Sequence, residues 1–237
     1  MLSEDSVLRK LPHGLSKKQI VFLDALRVSA EIAHRSYDDV FVELQVLGEN
    51  GDPERPKNLL DAIRHTWTFV DSVHRFRVVL QQAPGIRHNY VYELFIRKTK
   101  CVTNMRDTAQ HLYEKLPGIA ERSQGAYGTL TWVLGAGDDC VPKALMLNIG
   151  TAYGQVIGPI TDLEERLPIG EIRRVRLELG ERFLLLSDTY KRLGSMVQSI
   201  EGAVSELAEG KERFGSDQLI GFNLVPMTEN SQGHKDI

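Results

Sequence analysis

The strongest constraint in this sequence is the spacing of apolar residues across its first half. Ile20, Leu23, Leu26, Ala30, Ala33, Tyr37, Val40, Leu44 and Leu47 recur at alternating steps of three and four. On a helix of 3.6 residues per turn that spacing gathers them into one stripe, which must be covered. On a strand it would scatter them over both faces. Ser16 opens the run and Gln19 stands three residues on, the pattern of a capping box. The Gly48-Glu-Asn-Gly-Asp-Pro53 stretch and Pro56 are expected to end it. The first helix is thus expected over 16–47.

The pattern repeats twice. Leu60, Ile63, Trp67, Val70, Val73 and Leu80 predict a helix over 58–82, stopped by Ala83-Pro-Gly85. Val91, Leu94, Val102, Met105, Ala109, Leu112 and Leu116 predict a third over 89–116, closed by Pro117-Gly118. Long helices with short connections pack antiparallel, so an up-down-up bundle is expected. After Gly125 the period drops to two. Strands are expected over 127–135, 144–149, 172–179 and 182–186, with Val175 slightly out of alternation. Residues 150–170 leave room for a short extra strand. Ser187 or Asp188 then caps a helix whose apolar face is Tyr190, Leu193, Met196, Val197, Ile200, Val204 and Leu207. Trp67 and Trp132 read as core.

The expected fold is therefore α+β: an N-terminal bundle of three long helices, an inserted antiparallel β-sheet and a closing C-terminal helix. The expected divisions are a bundle over 1–118, a β-rich region over 119–187, a helix over 188–209 packing back on bundle or sheet, and a flexible tail over 210–237. Within that tail Leu219 to Val225 has the apolar content to dock.

Composition narrows the function. The 237 residues carry a net charge of −3, so the cationic excess that displaces counterions from a nucleic-acid duplex is absent. Broad electrostatic binding to duplexes or anionic membranes is not expected, although a small cleft for one phosphate is compatible. Two cysteines, Cys101 and Cys140, make no disulfide framework. Met1 to Lys10 lacks the apolar run of a signal peptide, and no stretch approaches the roughly 18 apolar residues of a membrane span. A cytoplasmic protein is expected. No phosphate loop, CxxC pair or HExxH occurs. Gly135-Ala-Gly137 lies between strands, with no helix to receive a dinucleotide phosphate. No cofactor is expected.

One segment carries candidate chemistry. In Asn104-Met-Arg106-Asp107-Thr-Ala-Gln-His111, Arg106 and His111 lie about 140° apart around a helix, at the two margins of the buried stripe. Asp107 precedes His111 by four residues and shares its face. A guanidinium can clamp phosphate oxygens and stabilise growing negative charge. A histidine near its ordinary pKa of about 6.5 can move protons at neutral pH. Together they suit attack of an RNA 2′-oxygen on the adjacent phosphate, without a metal. On these residues, set on a long bundle helix, the chain resembles the HEPN superfamily. The resemblance implies Arg106 as the phosphate-binding residue, His111 as acid/base and Asp107 as the polar residue after the arginine. It also implies a homodimer whose two motifs meet at the interface. The function it implies is a metal-independent endoribonuclease of a bacterial toxin or phage-defence system, with RNA at a small cleft. Asn104, His74 and Arg75 are candidate binding residues of the same groove.

Two alternatives stand beside it. One is a non-catalytic protein that dimerises through the bundle and binds a protein partner through the sheet. The other is a metal-binding bundle: Glu31-x-x-His34 and Asp71-x-x-His74 each place a carboxylate and an imidazole on one helix face, as di-metal bundles do. Extra glutamate ligands at matching positions are lacking.

Overall fold

The computed structural model describes residues 2–50, 56–86, 89–122, 125–137, 142–148, 167–215 and 217. Helix α1 (Lys17–Asn50) and helix α2 (Pro56–Gln82) form a long antiparallel hairpin. The capping box at its start forms in both directions. The Gln19 N–H donates to Ser16 Oγ at 3.3 Å, and the Ser16 N–H donates to Gln19 Oε1 at 2.9 Å. Each bond satisfies a donor that the first helical turn would leave unpaired.

Helix α1 does not stop at Gly48 but runs on to Asn50. A Cβ at residue 48 would sit 2.7 Å from a methyl of Leu134 and 3.1 Å from one of Leu145. Glycine here serves close approach between helix and sheet rather than helix breaking.

The third helical stretch departs further from expectation. It is divided into α3 (Tyr90–Lys98), α4 (Lys100–Gln110) and α5 (Leu112–Glu121). The first break has an identifiable cause. The Arg77 guanidinium, reaching across from α2, donates to the Ile96 carbonyl and, at 3.1 Å, to the Thr99 hydroxyl. The Thr99 hydroxyl in turn donates to the Phe95 carbonyl at 2.7 Å. The Ile96 carbonyl is thus taken by a side chain at the break, while the Phe95 carbonyl still accepts the Thr99 N–H at 2.9 Å. At the second break His111 sits at φ −102°, ψ 34°. Pro117-Gly118 does not close the stretch, because α5 passes through Pro117 to Glu121.

Strands β1 (Thr129–Leu134), β2 (Lys143–Asn148), β3 (Ile172–Leu179) and β4 (Arg182–Leu185) form one antiparallel sheet in the order β2-β1-β3-β4. Leu130 pairs with Leu147 on one side and Leu177 on the other. Between Thr131 and Val133 the β1–β3 register slips, and Arg174 takes a positive φ of 55°. This bulge accounts for the break in alternation at Val175, because one extra residue re-aims the side chains that follow. Gly135, just past β1, meets the 167–171 turn so closely that a Cβ would lie 1.9 Å from the Pro168 carbonyl oxygen.

Helix α6 (Leu186–Ala208) packs against α1, α3 and β3. A single apolar cluster joins Leu26, Val40, Phe69, Phe76 and Met105 of the helices to Leu130, Trp132 and Leu177 of the sheet and to Leu193 and Ile200 of α6. The α+β architecture is therefore as expected, with sheet and helices sharing one core.

Both flanks are docked where they are described. Val7, Leu8 and Leu11 are buried, and the Ser6 hydroxyl donates to Glu201. After α6 the chain returns along the N-terminal segment: the His13 N–H donates to the Glu212 carbonyl and the Phe214 N–H to the Leu11 carbonyl, both at 2.8 Å. The His13 and Phe214 rings stack at 4.2 Å. Residues 210–214 are thus anchored rather than a loose tail. The expected Leu219–Val225 docking segment, an extra strand between 150 and 166, and Cys140 lie outside the described residues.

Candidate functional site

Helix α4 begins just past Thr99 and packs against α2. Arg106, half-buried on α4, turns toward α2. Its Nε lies 3.3 Å from an Asp71 carboxylate oxygen. One turn along, Gln110 accepts a hydrogen bond from the same guanidinium at 2.9 Å. Two acceptors therefore hold the fork while part of it stays open to solvent.

His74 stands one turn after Asp71 on α2. Its Nδ1 is sealed from solvent with no hydrogen-bond partner among the described residues. Burial holds this imidazole below its ordinary pKa, and the neighbouring Arg106 charge pushes the same way, with a smaller push from Arg77. Asp107 and Asp71 pull in the opposite direction without reversing it. The cluster therefore sets an imidazole shifted toward its neutral form beside a guanidinium held by two acceptors.

His111 is placed differently. It is exposed at the junction of α4 and α5, its N–H donates to the Asp107 carbonyl at 3.1 Å, and its ring lies 4.0 Å from Glu114. Arg106 and His111 thus take separate side-chain partners within one chain. Asp107 is exposed between them and is near enough to His74 to act on its charge. Arg75 is exposed on the neighbouring α2 face. Asn104 is about 200° around α4 from Arg106. It lines a cavity of about 490 Å³ with Lys98, Cys101, Arg182, Asp188 and Arg192, apart from the Arg106 cluster. Burial pushes the Cys101 thiol up despite the nearby Arg77 and Arg192, which disfavours a thiolate nucleophile.

The four residues of the metal pattern are not brought together. Glu31 binds Arg9 at 2.9 Å and Arg27 at 3.6 Å. His34 Nδ1 meets the Tyr190 hydroxyl at 2.8 Å and Asp38 at 3.3 Å. Asp71 serves Arg106. Among the described residues no group of three metal-ligating side chains converges.

The sequence reading placed His74 in the groove of Arg106 and also, with Asp71, in a metal pattern, and it missed the Asp71–Arg106 ion pair. No local spacing signals that pair, because the two residues lie on different helices. The reading also missed the polar junction of α1 with α6. There Tyr37 stacks on Tyr190 at 4.0 Å and donates to Ser187 at 3.1 Å. No local spacing links residues 150 positions apart.

Among the described residues no helix is long and apolar enough to cross a membrane. No family model, curated protein or solved structure matches this chain.

Proposed function

We propose that this is a HEPN-like protein acting as a metal-independent endoribonuclease, of the kind found in bacterial toxin or phage-defence systems. The observation that carries the reading is the Arg106–Asp71 pair beside His74, whose neutral form is favoured. In this reading Arg106 clamps the scissile phosphate. The neutral His74 imidazole takes the 2′-hydroxyl proton as the 2′-oxygen attacks phosphorus. His111, exposed near Asp107, returns a proton to the departing 5′-oxygen. The products are a 2′,3′-cyclic phosphate and a 5′-hydroxyl. Asp71 positions the guanidinium and touches no reacting atom.

Single-stranded RNA incubated with the protein in EDTA tests this. Cleavage is expected, and His111→Ala and His74→Gln are each expected to slow it about a hundredfold. Cleavage that persists unchanged in both variants removes the assignment.

The separation of Arg106 from His111 favours one second reading, a non-catalytic dimerising interaction protein. It predicts no cleavage and a stable complex with itself or another protein.

A further inference from the structure

On the side of α4 away from Arg106, a cleft gathers positive charge. Lys98 ends α3, and Cys101 and Asn104 follow about a turn apart on α4. Arg182 and Phe183 face them from β4, the outer strand of the sheet. Strand β4 passes into α6 without a loop. That brings Asp188 and Arg192, on one face of α6, into the same cavity of about 490 Å³. Its size is that of a small-molecule site.

The cations here outnumber what the cleft itself neutralises. Lys98, Arg182 and Arg192 make no ion pair among the described residues. Of the two carboxylates that line the cavity, Glu181 is engaged by Arg122 at 2.6 Å. Asp188 lies in the first turn of α6, where the positive end of the helix dipole already favours a carboxylate. A cavity of about 230 Å³ shares Asp188 and Arg192 and adds a further cation, Lys191. The chain as a whole has a net charge of −3, so this excess is local. Phe183 gives the cleft a flat wall. It is 51% exposed, and the Arg176 guanidinium steadies it from 4.2 Å above the ring centre. A fixed aromatic face beside unpaired cations suits a ligand that is flat at one end and anionic at the other.

We propose that this cleft binds a small organic dianion with a planar ring, a phosphate monoester or a dicarboxylate, its charge held by Lys98, Arg182 and Arg192 and its ring laid on Phe183. The cleft lies apart from the Arg106 cluster, so binding here stands or falls independently of RNA cleavage.

Calorimetric titration of the full chain with phenyl phosphate and with isophthalate tests this. Inorganic phosphate supplies the charge without the ring, and benzyl alcohol the ring without the charge. At least one ring dianion is expected to bind about tenfold or more tighter than either half-ligand, and the tighter of the two identifies the anionic group. Arg192→Gln and Lys98→Gln are each expected to weaken that binding about tenfold. Asp188→Asn is expected to tighten it, which a purely structural role for that carboxylate would not do. Bound ligand is also expected to slow alkylation of Cys101 by iodoacetamide, followed by peptide mass, because the thiol lines the cavity. Binding of neither dianion overturns the proposal. So does binding that is unchanged in Arg192→Gln, or that leaves the alkylation of Cys101 as fast as before.

Discussion

At the scale of single residues, the account turns on a histidine whose importance is set by its neighbours. His74 is held below its usual pKa first by burial and then by Arg106. The sign of its effect on stability follows. Between the folded value and the unfolded value of about 6.5, the unfolded chain binds more protons than the folded one. The stabilising contribution is therefore present above about pH 6.5 and is lost as pH falls through the folded value. Urea midpoints of wild type and His74→Gln, compared from pH 7.5 to pH 5 (a range of about 2.5 units that brackets the ordinary imidazole value), are expected to converge at the acidic end. Parallel curves would contradict the placement of this ring. Gly135 offers a purely steric test. A Cβ there would meet the Pro168 oxygen at 1.9 Å, so Gly135→Ala is expected to cost about 1–3 kcal/mol, measured by urea unfolding. An unchanged midpoint would mean that the 167–171 turn yields freely.

At the scale of elements, helix existence was legible and helix continuity was not. The capping box at Ser16 and Gln19 depends on four adjacent residues, and it forms as read. The strand at Ile172–Leu179 was bounded by its own alternation and by Gly180-Glu181. The break at Thr99 could not be read from the third stretch, because its agent is Arg77, an arginine 22 residues earlier on another helix. The same distance in sequence hid the site. The segment from Arg106 to His111 suggested a pair, but α4 ends between them and each side chain goes to a different partner. Arg77→Met is expected to leave the Ile96 carbonyl short of a donor and to cost about 1–3 kcal/mol. It is also expected to lower RNA cleavage by tilting α4 away from Asp71. Stability lost without any change in cleavage would show that the break does not position Arg106.

At the scale of the whole molecule, sheet and helices share one core, and the two chain flanks bond to each other. Asp217 closes this arrangement at 2.5 Å from Arg27, a guanidinium also paired with Glu31. The α2–α4 margin carries Arg106 and His74. The central claim is that this margin cuts RNA by transesterification. The most direct measurement is the terminus left on a short single-stranded RNA after incubation in EDTA, for wild type and for Arg106→Ala. The account predicts a 2′,3′-cyclic phosphate from the wild type and a loss of about a hundredfold or more in rate from the variant, as expected when a transition-state cation is removed. Intact RNA with the wild type, or equal cleavage by Arg106→Ala, would contradict it.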